Sequence, residues 1–239
     1  MRIIAGSLKG RRLASPSWPG LRPTSDKLRE TLFNILAARI ANARVLDLYA
    51  GTGAVGIEAL SRGAVHVVFV EQDRRAQALI EENLAHCGVA EGYAIIRASV
   101  ARGLETLREQ SAFDIIVLDP PYERLRPGGG AKGKRGEAAP PSARERQPRA
   151  DRAGIRVSAR REMWGPARSE DDVVEVEVDG VMAVAADLMA PDGVLILEHA
   201  RQRYASETAG RLVRSREVMS GDSVLSFYKE EGKRQNFNF

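Results

Sequence analysis

One cysteine, Cys87, serves all 239 residues, so no disulfide can form within the chain. That scarcity points to a reducing compartment, and the expected location is the cytoplasm. Cys87 falls on the helical repeat Ala76, Leu79, Ile80, Leu84, where a structural thiol is expected. Histidine is nearly as rare. His66, His86 and His199 show no ligand spacing, so no metal is expected. Nothing approaches the ~18 consecutive apolar residues of a membrane span, and the apolar stretch Met1 to Ile4 is too short for a signal peptide. Aromatics make up only 5% of the chain, so the core must be mainly aliphatic.

Two short segments carry most of what the sequence says. Phe113 to Leu118 is short and rich in β-branched residues, the pattern of a buried parallel strand. Asp119-Pro120-Pro121-Tyr122 follows at once. The prolines lack N–H groups and fix φ, so this turn offers oxygen acceptors and almost no donors. It suits a ligand that brings N–H donors, such as the exocyclic amine of a nucleobase. Tyr122 would supply a stacking face for the same base.

The second segment is Val45-Leu46-Asp47-Leu48-Tyr49-Ala50-Gly51-Thr52-Gly53-Ala54-Val55-Gly56. An apolar strand runs into a glycine turn that lets a ligand approach the backbone, and a helix opens directly after it. About twenty residues beyond the first glycine, the strand His66 to Val70 ends in Glu71, with Gln72 next. Glu71 is placed to hold ribose hydroxyls. NAD and S-adenosylmethionine both carry a ribose, so Glu71 does not choose between them. Asp47 favours the second, because an acid is awkward beside a pyrophosphate and welcome beside ammonium and sulfonium charges.

These paired motifs resemble the class I S-adenosylmethionine-dependent methyltransferases, and among them the amino-group enzymes whose fourth strand ends in Asp/Asn-Pro-Pro-aromatic. Arg2-Ile3-Ile4-Ala5-Gly6, Lys9-Gly10-Arg11-Arg12-Leu13 and Gly20-Leu21-Arg22-Pro23-Thr24-Ser25-Asp26-Lys27-Leu28-Arg29-Glu30-Thr31-Leu32-Phe33-Asn34 narrow the likeness. They are similar to the RsmD-type 16S ribosomal RNA guanine-N2 methyltransferases.

The resemblance implies a Rossmann-like α/β fold: a mostly parallel seven-stranded sheet, an antiparallel C-terminal edge and an N-terminal β-hairpin extension. It implies S-adenosyl-L-methionine as cofactor, held by Thr24, Asp47, Tyr49, Ala50, Gly51, Gly53, Glu71, Gln72, Ser99 and Val100. Asp119, Pro120, Pro121 and Tyr122 would form the catalytic turn. Many relatives carry glycine where this chain has Tyr49, and an acid where it has Ser99. The substrate implied is 16S rRNA, in the small ribosomal subunit or an assembly intermediate, modified by a monomer. Methyl transfer would be in line, with Asp119 and the Pro120 carbonyl accepting the two amine N–H groups. An adenine-N6 methyltransferase, an NAD-dependent oxidoreductase and a non-catalytic RNA-binding protein remain open.

Charge is unevenly spread. Residues 1–29 hold seven Lys/Arg against one acid, residues 123–172 thirteen against eight, and the remainder sixteen against twenty-three. Lys9, Arg11 and Arg12 on the hairpin, with Arg22 and Arg29, are therefore the expected RNA-phosphate contacts. The expected organisation is a basic hairpin at 1–24, a methyltransferase domain at 25–122 and 180–239, and a disordered basic insertion at 123–179. Within it, the alternating Val173 to Val178 reads as a strand extension.

Overall fold

The computed structural model describes residues 1–18, 24–109, 112–120, 170–203 and 205–232, and for 170–177 the helical backbone alone. The elements are α1 (Asp26–Ile35), β1 (Arg44–Leu48), α2 (Ala54–Ser61), β2 (His66–Glu71), α3 (Arg74–His86), β3 (Tyr93–Arg97), α4 (Val100–Leu107) and β4 (Phe113–Leu118). There follow α5 (Glu170–Ala186), β5 (Met189–Ala200), β6 (Thr208–Ala209), β7 (Leu212–Ser220) and β8 (Ser223–Glu230).

All eight strands form one sheet in the order β3-β2-β1-β4-β5-β8-β7-β6. The first five are parallel, and β8, β7 and β6 add an antiparallel edge. The fold is the Rossmann-like one expected. The seven expected strands gain only β6, a two-residue pairing of Thr208 and Ala209 with β7, too short to leave a sequence pattern.

Side-chain alternation along the strands builds two cores. Val45, Val67, Ile115, Val117 and Ile196 face a cluster with Leu32, Phe33, Ile57 and Ile80 of α1, α2 and α3. Leu46, Leu48, Val70, Ile116, Leu118 and Leu197 face a second cluster with Leu104 and Leu107 of α4 and Met182 of α5. Helices cover both faces, which explains why the central strands carry apolar residues at consecutive positions instead of alternating with polar ones.

The N-terminal segment is hairpin-like but packed. Arg2 bridges Arg12, the Ile3 N–H donates to the Arg11 carbonyl, and the Gly10 N–H donates to the Ile3 carbonyl. Ile3 and Leu13 are buried in the first core. The buried Glu58 carboxylate of α2 accepts the Ile4 and Ala5 N–H groups at 2.8 and 3.0 Å. Gly6 has φ +84, and a Cβ there would lie 1.8 Å from the Ser61 carbonyl oxygen. Only glycine permits this approach.

Two expectations need correction. Arg29 does not reach phosphate: its side chain is fully buried, paired with Asp26 at 3.0 Å and Glu58 at 3.8 Å. On α1 it faces the acid of α2, and burial pushes the guanidinium pKa down despite both acids. Residues 173–178 are helix, not strand, because α5 begins at Glu170 inside the segment read as insertion. They extend the same helix that buries Met182, Ala185 and Ala186, and a helix once nucleated propagates at little cost. The rest of the insertion, with Pro121, Tyr122 and Arg22, lies outside the described residues.

Candidate active site

In a sheet ordered 3-2-1-4-5, chain direction away from the starting strand reverses between β1 and β4. In open α/β sheets such a reversal, at the carboxyl ends of the strands, is where ligands bind. Leu48 of β1 is level with Val70 of β2 and Leu118 of β4, and Leu118 is level with Leu197 of β5. Glu71, Asp119 and Glu198 each stand one residue further on, at that edge. By the two-residue alternation all three share a face with Asp47, the face packed by α1, α2 and α3. Four acids thus share one face: Glu71, Asp119 and Glu198 at the edge, and Asp47 two residues in from it.

The turn after β1 is built for close backbone approach. Tyr49 has φ 64, Gly51 φ 55 and Gly53 φ 75, so three of five consecutive residues are left-handed. Glycine is the cheap choice at such positions, which accounts for the glycine that the resemblance implies at 49. Tyr49 carries the strain of a bulky side chain there, of order 1–3 kcal/mol. Its half-buried ring packs against the second core. The Ala50 N–H donates to the Val70 carbonyl and its carbonyl accepts from Gly53, at 3.1 and 2.8 Å.

Glu71 clamps this turn. One carboxylate oxygen accepts the Gly51 N–H at 2.9 Å, and the other accepts Gln72 and Asp73 N–H groups at 2.7 and 2.8 Å. A carboxylate has about four lone-pair sites. Three serve the backbone, so a ribose hydroxyl would take the fourth or displace Gly51. Gln72 is exposed beside it.

Asp47 is 3% exposed and accepts the Gly56 N–H at 3.1 Å, tying strand to helix. Burial raises its carboxyl pKa to about 7; the Gly56 bond opposes the rise and Glu71 adds to it. Folding therefore takes up a proton at Asp47 between its ordinary 3.8 and about 7. A group with a raised carboxyl pKa makes stability fall as pH rises through that window. Asp47→Asn should flatten the fall, read as urea midpoints at pH 5 and pH 7.5; an unchanged slope would deny Asp47 this role.

Asp119 is half-buried and accepts a hydrogen bond from the Thr24 hydroxyl at 3.3 Å. Burial first, then the charges of Glu198 and Asp47, raise its carboxyl pKa well above the ordinary range, against the Thr24 bond. Thr24 thus meets Asp119, the acid of the segment expected from the sequence to be catalytic. Pro120 is buried behind it.

Ser99 is the N-cap of α4, yet its hydroxyl makes no capping bond. The Val100 side chain belongs to the second core. Lys9, Arg11 and Arg12 are exposed, but the loop carrying Lys9 and Arg11 lies at the other edge. Ser7 and Leu8 bond Ser61 at the end of α2, and Arg11 donates to the His86 carbonyl at the end of α3. A groove of about 490 Å³ beside Leu8, Val65 and Gly92 is also there and holds none of the four acids. About 17 Å, one five-residue strand, separates the two edges.

Among the described residues no cluster of His, Cys, Asp or Glu could hold a metal. No helix among them is long and apolar enough to cross a membrane.

Residues 1–126 match the protein family described as Conserved hypothetical protein 95. The chain belongs to this family. Ribosomal RNA small subunit methyltransferase D of Escherichia coli is 43% identical over 124 residues, 52% of this chain and 61% of that protein. YlbH of Bacillus subtilis, provisionally named an rRNA methyltransferase, is 29% identical over 235 residues, 97% of this chain and 100% of that protein. Among solved structures, the Escherichia coli protein yhhF covers 98% of this chain and 99% of its own at TM-score 0.65 and 23% identity, a likeness of fold. The family match ends at residue 126, so it takes in the N-terminal segment, the glycine turn and the whole Asp119 to Tyr122 turn.

Sequence reasoning missed Glu58 and Glu198. Glu58 looks like any helical surface acid until α1 and the N-terminal segment close over it. Glu198 lies on β5, a strand whose neighbours the sequence does not name.

Proposed function

We propose that the chain is an S-adenosylmethionine-dependent methyltransferase acting on the N2 amine of a guanine in 16S rRNA. The observation that carries this reading is the edge that sets a glycine turn with two acids beside Asp119, the acid that opens the Pro-Pro-Tyr turn. The likeness to small-subunit methyltransferase D supports the RNA class. The choice of guanine N2 comes from the sequence resemblance. Catalysis in the cytoplasm by a monomer belongs to the same proposal.

The donor set fits the cofactor. Left-handed Gly51 and Gly53 bare the backbone, Glu71 stands where a ribose diol would meet it, and Asp47 supplies a buried acid toward positive charge. When bound, S-adenosylmethionine supplies an electrophilic methyl group on sulfonium. Asp119 and the Pro120 carbonyl then hold the two N–H groups of the amine. A guanine amine is a weak nucleophile because its lone pair is delocalised into the ring. Fixing both N–H bonds aims that lone pair at the methyl carbon, and positioning of this kind contributes on the order of 7–11 kcal/mol in favourable cases. The proton becomes acidic only after transfer, so Asp119 need not be a strong base.

The test is nucleoside mass spectrometry after incubation with S-adenosylmethionine and unmethylated small-subunit particles or their free RNA. N2-methylguanosine at one position is the expected product. Methyladenosine instead, or no methylated guanosine on either substrate, would overturn the reading.

A further inference from the structure

Glu198 has no part in the function as stated, yet its place in the sheet is specific. It is 9% exposed, one residue beyond Leu197, which is level with Leu118 of β4. It therefore stands beside Asp119 across adjacent strands, on the same face, and its charge acts on Asp119. The next residue, His199, points to the other side and bonds Ser226 at 2.9 Å. Along the edge the order is glycine turn and Glu71, then Asp119, then Glu198. A base whose amine meets Asp119 would reach Glu198 with the ring atom next to that amine, on the side away from the cofactor turn.

The chemistry of that neighbouring atom differs among bases. In guanine the N2 amine is flanked on its Watson–Crick side by N1–H, a donor. In adenine the N6 amine is flanked by N1, and in cytosine the N4 amine by N3, both acceptors. An ionised carboxylate only accepts hydrogen bonds, so it rewards the donor and repels the lone pair. Two adjacent acids beside Pro120, which has no N–H, present acceptors that guanine's three N–H bonds at this edge would meet.

We propose that Glu198 selects guanine by accepting its N1–H while Asp119 holds the N2 amine. This rests on the methyl-transfer reading and adds what the Asp-Pro-Pro-Tyr turn lacks, since that turn suits an adenine amine equally well. A site built to hydrogen-bond a substrate N–H rejects an analogue that lacks it far more strongly than an apolar pocket rejects a change of shape.

The discriminating substrate is 2-aminopurine, which keeps the N2 amine but has an unprotonated N1. Small-subunit RNA would be ligated from synthetic pieces to carry guanine or 2-aminopurine at the position methylated by the wild-type protein. Wild type is expected to favour guanine in kcat/KM by ~100-fold or more. In Glu198→Gln the amide can donate to N1, so the preference should shrink by at least ~10-fold, the worth of one hydrogen bond. Equal loss on both substrates in Glu198→Gln, leaving the ratio unchanged, would make Glu198 a structural residue and overturn the proposal. Equal methylation of both bases by wild type would overturn it without any variant. Absence of product from wild type on guanine RNA would instead remove the methyl-transfer reading, and the assignment with it.

Discussion

Replacing Asp119 with alanine is expected to lower methyl turnover by ~10²–10³-fold while S-adenosylmethionine binding is retained, the usual cost of losing one preorganised polar partner. The two effects separate because Asp119 follows the end of β4, one strand over from the glycine turn that follows β1. Its described partner is the Thr24 hydroxyl, which loses only a part-buried acceptor. Asp119→Asn sharpens the test. The amide keeps one oxygen acceptor, so it should retain more turnover than alanine. Wild-type turnover should fall as pH drops through the raised pKa of Asp119, because protonation removes an acceptor. The asparagine variant should lack that limb. Single-turnover methyl transfer across pH, with calorimetric cofactor titration, reads both. Full turnover in Asp119→Ala would end the amine-positioning mechanism.

The second large effect is on stability. Glu58→Ala is expected to destabilise the fold by about 3–5 kcal/mol, the range for removing one partner of a buried ion pair. Glu58 is fully buried, bonds Arg62 at 2.7 Å and faces Arg29 at 3.8 Å, itself fully buried. It also accepts the Ile4 and Ala5 N–H groups. Alanine would leave the buried Arg29 guanidinium with Asp26 as its remaining acid, leave two backbone donors unmet and release the N-terminal segment. Glu58→Gln keeps acceptors for some of these donors but removes the charge, so its loss should be smaller. Urea denaturation gives the magnitude, and amide exchange at Ile4 and Ala5 shows whether the segment detaches. Wild-type stability in Glu58→Ala would mean that water already reaches this cluster.

Much of the fold was legible because its signals are local. The strands β1, β2, β3 and β4 fall where apolar, β-branched runs begin and end. The helix at α5 was harder. Val173 to Val178 alternate with acids at period two, and only continuity with Met182 and Ala185, buried under the sheet, shows that helix wins. Arg29 misled for a similar reason: a basic residue in a basic segment reads as surface until the partner helix brings Glu58 against it.

Periodicity and turn chemistry by themselves determined the alternating α/β order, the glycine turn, and the acids at the ends of β2 and β4. Each depends on neighbours in sequence, where steric and hydrogen-bonding preferences act directly. Only the tertiary structure decided which strands lie side by side. That register sets Glu198 next to Asp119, turns Glu71 onto Gly51, and carries Lys9 and Arg11 to the edge opposite the acids. Pairing between distant strands is a property of the whole sheet, fixed by how two cores close over it, and no local stretch of sequence encodes it.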